Sequence, residues 1–245
     1  MKVFIAGVSA LKKYQNELSN CKYILESFYS IKEWQIPFIK KCEMFLLDSG
    51  AFTFMNSQKG KIDFDEYLTR YINFINKYDI KYFFELDVDS IVGYEKVKQL
   101  RKRLESETVK KCIPVWHKSR GKEEYLKMCE KYDYVAIGGI VTKEISQKQY
   151  SFFPWFINEA HKRNCKVHGL GFTSTSYFDK IRFDSVDSTT WTMSRRLGDL
   201  CYFDGKKMMR YSPQENGKRP RNTESLAIYS FNEWIKFQRY AENNL

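Results

Sequence analysis

The chain has 245 residues, of which 43% are hydrophobic and 17% aromatic, and it carries a formal net charge of +11. This size and apolar content suit one domain with a large core, and they exclude an intrinsically disordered chain. The excess of Lys and Arg predicts a nucleic-acid partner, because neutralising phosphates is the main source of nucleic-acid affinity, although a Lys-rich composition alone gives the same charge.

The six cysteines are scattered, and none belongs to a Cys-x-x-Cys pair or to a Cys/His cluster with zinc-ligand spacing. We therefore expect reduced thiols in a cytoplasmic protein, with no metal site. The apolar run at the N-terminus is too short for a signal peptide, and no segment reaches transmembrane length. Neither secretion nor membrane insertion is expected.

Short apolar runs alternate with amphipathic stretches along the chain, which indicates repeated β-α units and a parallel sheet. Seven strands are predicted at residues 3–6, 44–48, 82–87, 112–116, 134–137, 166–169 and 183–187, and an eighth is placed at 200–203. Helical periodicity predicts helices at 64–78, 94–104, 122–131, 149–163 and 225–242. The basic stretch 212–221 is predicted to be a loop.

Parallel strands with interposed helices fit a single-domain (β/α)8 TIM-type barrel over residues 1–245, and they also fit a doubly wound open sheet. An open sheet concentrates its functional residues at one switch point, whereas a barrel gathers the carboxyl ends of all strands around one mouth. Polar or Gly-rich turns follow nearly every predicted strand. This distribution favours the barrel.

Acidic residues at strand ends are the main chemical signal. Asp48 ends a strand, Asp87 is the inward-facing candidate of the pair Asp87 and Asp89, and Asp184 and Asp187 flank the last clear strand. Neighbouring buried carboxylates acquire separated pKa values, which suits one nucleophile and one acid/base residue in glycosyl transfer. Turns, helix caps and salt bridges are the structural explanations for the same residues.

Histidine and glycine accompany these carboxylates. His117 and His168 stand at strand ends as hydrogen-bonding or stacking groups, and their spacing does not match a metal-binding pair. Gly138, Gly139 and Gly169 allow the backbone to approach a ligand closely, or they serve turn geometry alone. None of these turns matches the full dinucleotide-binding fingerprint, so no cofactor is predicted.

Six of the turns, in this order, resemble motifs of the tRNA-guanine transglycosylase superfamily. They are Asp48-Ser49-Gly50-Ala51-Phe52, Leu86-Asp87-Val88, Trp116-His117-Lys118, Ile137-Gly138-Gly139-Ile140, His168-Gly169-Leu170-Gly171 and Val186-Asp187-Ser188. The resemblance covers residues 44–190, and the joint order of the motifs is more specific than any one of them.

The resemblance implies a base exchange and a role for each matched residue. Asp187 would be the nucleophile that displaces guanine from C1′, with Asp184 as a rival, because a gap of a few residues shifts the alignment. Asp48 would be the acid/base residue, and Asp87 would read the base edge. The other implied base contacts are His117 in place of a glutamine, the backbone at Gly138, Gly139 and Gly169, and a sandwich of the base between Phe52 and His168.

The chain also departs from the family. The zinc-binding Cys-x-Cys-x-x-Cys element with a later His is absent after Asp187, and Ala51 replaces a glycine of the first motif. A short, zinc-free, basic chain resembles the phage-type DNA-guanine transglycosylases, which exchange guanine in DNA for a 7-deazaguanine. The resemblance therefore implies DNA and a free 7-deazaguanine base as partners, a covalent Asp-deoxyribosyl intermediate, and the host-cell cytoplasm as location for a phage-encoded protein.

Duplex DNA would require the target guanine to leave the base stack. A basic set would bind the phosphates, although a solvated basic surface explains each member equally well. The set is Arg195, Arg196, Lys206, Lys207, Arg210, Lys218, Arg219 and Arg221. Three alternatives remain open: a tRNA-guanine transglycosylase, a non-catalytic nucleic-acid-binding barrel, and an unrelated barrel hydrolase that acts on a small sugar or nucleoside.

Overall fold

The computed structural model describes residues 1–51, 53–54, 63–212 and 222–245. Within these ranges seven strands form one parallel sheet, in the spatial order β3-β2-β1-β7-β6-β5-β4. The strands are β1 Lys2–Ala6, β2 Tyr23–Ser27, β3 Met44–Asp48, β4 Val115–Trp116, β5 Tyr134–Ile137, β6 Lys166–Gly169 and β7 Ser185–Ser188. The predicted α/β class with a parallel sheet is confirmed.

A short segment connects the two edge strands of this sheet. Phe84 N donates to the backbone oxygen of Leu47 at 3.0 Å, and Ile113 N donates to the backbone oxygen of Phe83 at 2.8 Å. These contacts form isolated parallel bridges rather than a full strand, so the run predicted at 82–87 pairs only around Phe83 and Phe84. The sheet is curled, and this segment lies between β3 and the residues that precede β4.

Helices lie between the strands, and all five predicted helices occur. Asp63 caps the helix Phe64–Tyr78 by accepting from the backbone of Asp65 and Glu66. The described α-helices are Gln15–Leu18, Ile36–Lys41, Phe64–Tyr78, Asp89–Val92, Tyr94–Thr108, Gly121–Lys131, Phe153–His161, Met193–Leu197 and Thr223–Asn244. Short 3-10 helices occur at Val8–Tyr14, Glu33–Gln35, Lys118–Arg120, Gln147–Phe152, Thr175–Tyr177 and Thr190–Thr192. Within the described ranges, none of the helices combines the length and apolar character needed to cross a bilayer.

Two further differences from the sequence-based prediction concern β2 and the predicted eighth strand. β2 was not predicted, yet it lies between β1 and β3. The run predicted as the eighth strand of the sheet is β8 Leu200–Phe203, which pairs antiparallel with β9 Met208–Tyr211 instead. The chain reverses at Gly205, whose φ of +100° suits glycine, so the neighbour of β8 is the next strand in sequence and not the parallel sheet.

Strand residues alternate between two buried clusters, because successive side chains point to opposite faces. Val3 and Ile5 of β1 pack in the larger cluster with the helices, whereas Phe4 and Ala6 pack in a smaller cluster formed on the other face of the strands. The smaller cluster also contains Tyr23, Leu25, Leu46, Phe84, Ile113, Val115 and Ala136. The concave side of the sheet is therefore filled with apolar side chains that support the groups at the strand ends.

Candidate active site

A cavity of about 700 Å³ lies at the carboxyl ends of the parallel strands, and we call it the central cavity. Asp48, Asp87 and Asp187 reach it from three separate parts of the chain. Much of the remaining wall carries hydroxyl groups, from Ser27, Ser30, Ser49, Thr53, Thr142, Thr173, Ser174, Thr189 and Thr190. The cavity therefore combines carboxylates with hydrogen-bonding groups suited to a polar ligand.

Asp48 is the last residue of β3, and it forms a tight turn with the residues that follow. Its Oδ2 accepts from Gly50 N at 3.0 Å. Gly50 has φ of +67°, and a Cβ there would lie 2.3 Å from Ser27 Oγ, so the turn requires glycine. Burial and the nearby charges of Asp87 and Asp187 raise the pKa of Asp48 to about 7, although the hydrogen bond from Gly50 opposes the shift. Asp48 is thus able to give or take a proton near neutral pH.

Asp187 lies on β7 and is held at one oxygen. Its Oδ1 accepts from Gly171 N at 2.6 Å and lies 3.2 Å from Nε2 of His168. Within the described residues, no protein hydrogen bond reaches Oδ2 of Asp187. The side chain is 11% exposed, and the residue lines the central cavity. Asp187 therefore presents a side chain of fixed orientation, with one oxygen that has no hydrogen-bond partner among the described residues.

Asp87 belongs to a chain of ion pairs through His117. Nε2 of His117 lies 2.7 Å from Asp87 Oδ1, and Nδ1 lies 2.9 Å from Glu144 Oε2. Burial disfavours the charged form of the ring, but the hydrogen bonds and charges of the two carboxylates outweigh it and raise the pKa of His117 to about 9. The ring is protonated at neutral pH, so it donates to both carboxylates and fixes Asp87.

The glycine pair after β5 makes room for this chain. At Gly138 a Cβ would lie 2.8 Å from Cε1 of His117, and at Gly139 it would lie 2.7 Å from Oε2 of Glu144. Gly139 also lines the central cavity. The backbone of Gly139 is thus available to a ligand, whereas Gly138 lies against the His117 ring.

Three residues predicted for the site lie elsewhere. Asp184 precedes β7 at the opposite end of the sheet, where it accepts from Val167 N at 2.7 Å and pairs with His161 at 2.9 Å. Asp184 therefore does not belong to the site, and its predicted catalytic role is wrong. His168 is fully buried with its ring against Phe4 and Phe84, so it does not stack on a ligand.

Gly169 is the third of these residues. A Cβ there would lie 2.9 Å from the ring of Phe183, so this glycine serves packing beneath the cavity. Gly171 lines the cavity instead and donates its N–H to Asp187. Phe52, the other half of the predicted base sandwich, falls outside the described residues.

One donor set has the proximity that a metal ion needs. Asp87, Asp89 and His117 each place a ligand atom within 4.8 Å of the others. However, Asp89 Oδ2 accepts from Arg120 Nε at 3.0 Å, and the protonated ring of His117 has no lone pair to offer. Asp87 is engaged by His117 and Asp89 by Arg120, so the donor set does not fit a metal ion in this arrangement.

The hairpin β8–β9, which carries several of the basic residues, is hydrogen-bonded to a loop beside the central cavity. Met208 N donates to Oγ1 of Thr175 at 3.1 Å, in the same loop that supplies Thr173 and Ser174 to the cavity wall. The exposed tip of the hairpin carries Lys206 and Lys207. The hairpin therefore carries two exposed lysines and is bonded to a loop that contributes to the cavity wall.

The other predicted phosphate contacts are more varied. Arg210 Nη2 lies 2.6 Å from Asp199, although half of its side chain is exposed, and Arg195 Nη1 donates to the backbone of Ala10 at 3.3 Å. Arg196 is exposed beside Arg195. Lys218, Arg219 and Arg221 fall outside the described residues.

Sequence reasoning did not identify Glu26 and Glu144. Glu26 is 1% exposed, and its carboxylate accepts from Ser9 N at 2.7 Å, Gln35 Nε2 at 3.0 Å and Ser30 Oγ at 2.7 Å, which fixes one wall of the cavity. The available signal was an acidic residue inside the apolar run of β2. Glu144 had no comparable signal, because it lies in a loop that folds back when Ile145 N donates to Gly139 O.

No family model matches the chain. A protein of Sulfolobus islandicus rod-shaped virus 1, described as uncharacterized protein 306, is 29% identical over 199 residues, which are 76% of this chain and 60% of that protein. The chain thus spans about three fifths of the length of this viral relative.

Among solved structures, the chain is similar to the carboxyl transferase domain of Rhizobium etli pyruvate carboxylase. The structure with pyruvate aligns with 98% of this chain and 48% of its own, at 11% identity and a TM-score of 0.48. The structure with 3-bromopyruvate gives 9% identity and a TM-score of 0.49 over the same shares. The chain spans about half the length of these solved chains.

Proposed function

We propose that this protein is a DNA-guanine transglycosylase, which exchanges guanine in DNA for a free 7-deazaguanine base. The observation that carries the proposal is the meeting of Asp48, Asp87 and Asp187 at one cavity. A nucleophile, an acid/base group and a base-reading group are the three functions that such an exchange requires. The motifs that resemble the transglycosylase superfamily assign the same three residues to the same three roles.

We also propose that the fold is a (β/α)8-type barrel. The two bridges at Phe83 and Phe84 support this, because they link β3 to the segment before β4. In such a barrel, this segment would complete a ring with the seven strands around the apolar side chains of the smaller cluster. A mouth at the carboxyl ends of the strands is where barrel enzymes carry their active sites.

In the first half of the reaction, one oxygen of Asp187 attacks C1′ of the target nucleotide. A C–O bond forms, the C1′–N9 bond breaks, and its electron pair leaves with guanine. Asp48 donates a proton to the departing base, which a group with a pKa of about 7 does readily near neutral pH. The products are free guanine and a deoxyribosyl ester of Asp187.

In the second half, the 7-deazaguanine base occupies the space that guanine leaves. Asp48, now a carboxylate, takes the N9 proton of the incoming base. N9 attacks C1′, and the C–O bond to Asp187 breaks with return of its electron pair to the carboxylate. Both groups regain their starting protonation state, so the cycle needs no cofactor and no external acid or base.

Asp87 suits the reading of guanine because it is a fixed acceptor. Guanine presents two adjacent donors, the N1–H and the exocyclic amine, whereas adenine presents an acceptor at N1. The protonated ring of His117 donates to Oδ1 of Asp87 and orients the side chain. A 7-deazaguanine has the same donor edge, so the same carboxylate serves both halves of the exchange.

Duplex DNA supplies its guanine by base flipping, and the positive hairpin tip at Lys206 and Lys207 supplies phosphate contacts beside the mouth. The net charge of +11 supports a polyanionic substrate. A cytoplasmic location accords with this substrate, in the host cell for a virus-encoded protein, and the similarity to a viral protein is compatible with it.

The test is a base-exchange assay. The protein is incubated with duplex DNA that carries radiolabelled guanine and with a 7-deazaguanine base, and released label is counted for the wild type and for Asp187→Ala. We expect release by the wild type and none by the variant. Release of label from tRNA but not from DNA would make tRNA the substrate. Release from neither polymer would favour a non-catalytic nucleic-acid-binding barrel.

A further inference from the structure

A buried row of hydrogen bonds leads to Asp187 from below the central cavity. The Tyr134 hydroxyl contacts Ser185 Oγ, Ser185 Oγ lies 2.6 Å from Nδ1 of His168, and Nε2 of His168 lies 3.2 Å from Oδ1 of Asp187. We call these four residues the buried relay. They come from the adjacent strands β5, β6 and β7, and β7 supplies both Ser185 and Asp187 because residues two apart share one face.

The position of each proton in the buried relay follows from donor and acceptor chemistry. An ionised carboxylate accepts hydrogen bonds only, so Nε2 of His168 has to carry the proton that faces Asp187. A neutral imidazole then has an acceptor at Nδ1, and only the Ser185 hydroxyl reaches it among the described residues. The Ser185 hydroxyl has one proton, which it donates to His168. In its contact with Tyr134, Ser185 Oγ is therefore the acceptor.

Tyr134 fits the first position of this row. Burial raises the pKa of Tyr134, so the phenol keeps its proton across the physiological range. Its hydroxyl then donates to Ser185, Ser185 donates to His168, and His168 donates to Asp187. With the reverse order, an acceptor nitrogen would face a carboxylate, and the phenol proton would have no partner among the described residues.

We propose that His168 is a positioning residue, whose neutral Nε2–H form, imposed by the Ser185 hydroxyl, holds Asp187 by Oδ1 and leaves Oδ2 as the attacking atom. The last clause rests on the proposed transglycosylase function, whereas the protonation state of His168 does not. Gly171 N–H is the second donor to Oδ1, at 2.6 Å, and it restrains the same oxygen from the other side.

The neutral state of His168 matters for the chemistry. An imidazolium would form a full ion pair with Asp187 and lower its nucleophilicity, whereas a neutral N–H orients the carboxylate and leaves its charge intact. After attack, Oδ1 becomes the carbonyl oxygen of the ester. The two donors to Oδ1 then polarise that carbonyl and assist departure of the carboxylate in the second half of the exchange.

The first experiment reads the protonation state without any substrate. The protein is labelled with 15N in its three histidines, His117, His161 and His168, and long-range 15N–1H correlations are recorded at neutral pH. His168→Gln identifies the signals of His168 by their loss. We expect a pyridine-type Nδ1 and a pyrrole-type Nε2 for His168. A pyridine-type Nε2, or two pyrrole-type nitrogens, overturns the proposal.

The second experiment removes the donors one at a time in the full chain. Ser185→Ala takes away the donor that reaches Nδ1 among the described residues. We therefore expect a mixture of His168 tautomers and a fall in kcat of about tenfold to a hundredfold with KM nearly unchanged. Ser185→Thr restores the hydroxyl and should recover the wild-type tautomer. Tyr134→Phe leaves the Ser185 proton in place, so we expect the Nε2–H form and a kcat within about threefold of the wild type.

His161→Gln is the matched control, because His161 pairs with Asp184 at the other end of the sheet. It should change neither the His168 signals nor the rate. Ser185→Ala that keeps a pure Nε2–H form together with the wild-type kcat overturns the positioning role. If no variant or wild type exchanges bases while the nitrogen signals are as expected, the proposed function fails and the buried relay stands.

Discussion

Oε2 of Glu144 lies 2.9 Å from Nδ1 of His117, on the opposite side of the ring from Asp87. We expect Glu144→Gln to lower the pKa of His117 from about 9 toward its usual value, because the amide keeps the shape but removes the negative charge. The measurement is an NMR titration of the His117 ring. Glu95→Gln, which alters an exposed pair with Lys98, should leave the titration unchanged.

The same substitution has a defined effect on stability. A histidine whose folded pKa is raised stabilises the fold fully below its unfolded pKa, and this stabilisation is lost as the pH rises through about 9. Glu144→Gln should therefore lower the free energy of unfolding most at pH 6 and least at pH 10. Chemical denaturation at both values measures the difference, and an equal loss at both contradicts the ion-pair account.

The stability contribution of Asp48 has the same sign of pH dependence as that of His117, because its folded pKa is also raised, but here the charged form is the destabilising one. Its ionised form destabilises the fold above about pH 7, and this effect disappears as the pH falls toward the unfolded value. We expect Asp48→Asn to raise the free energy of unfolding by about 1 to 3 kcal/mol at pH 8 and by much less at pH 4. Base exchange by this variant should fall by about a hundredfold or more, since the acid/base group is gone.

Asp187 and Asp184 form a matched pair of tests. Asp187→Asn should reduce base exchange by about a thousandfold or more and abolish any covalent adduct seen on a denaturing gel, because the amide is a poor nucleophile. Asp184→Asn should stay within about twofold of the wild type, because Asp184 pairs with His161 away from the cavity. If the adduct is lost in Asp184→Asn but not in Asp187→Asn, Asp184 is the nucleophile instead.

Gly139 leaves space for the Glu144 carboxylate that pairs with His117. Gly139→Ala adds a Cβ 2.7 Å from Oε2 of Glu144 at a φ of +79°. We expect a loss of about 2 to 4 kcal/mol in the free energy of unfolding and a lower pKa of His117, because Glu144 is displaced. Gly93→Ala is the control, since its φ of +78° is similar but no atom lies within 4 Å of the added Cβ. It should leave the His117 titration as it is.

Salt dependence tests the hairpin tip. Replacing Lys206 and Lys207 by Ala should reduce the slope of log affinity for DNA against log salt concentration by roughly 2, because about one counterion is released per phosphate contact. A double substitution of Lys98 and Lys162, which pair with Glu95 and Glu159, is the control of equal charge. Equal changes in slope for the two double variants would show that the hairpin tip makes no specific phosphate contacts.

The elements with strong local patterns were predictable from the sequence. The helix Phe64–Tyr78 has both a clear 3.6-residue period and a capping Asp63, and its predicted bounds are those observed. β2 was not recognised, because five residues that are buried on both faces have no period that separates a strand from other apolar runs. The strand β8 was recognised, but its partner was not, since strand pairing depends on the path of the chain after Gly205.

The site was predictable to the extent that strand ends reveal it. Asp48, Asp87 and Asp187 each follow an apolar run, so their meeting at one edge was expected. Depth along a strand is not visible in a sequence, and His168 therefore gave no sign that it lies below the cavity and not in its wall. Glu144 was unpredictable for another reason, because a loop conformation returns it to His117.

The pairing of β1 with β7 joins the first and the last strand of the parallel sheet. A chain emerging from the ribosome cannot complete this pairing until residues 185–188 have been made. The helix Thr223–Asn244, whose Gln238 donates to the backbone oxygens of Val3 and Tyr23, is made later still. Asp48 and Asp87 are thus translated before the strand that carries Asp187. Translation products that stop before residues 185–188 therefore lack both the pairing of β7 with β1 and the third carboxylate of the central cavity.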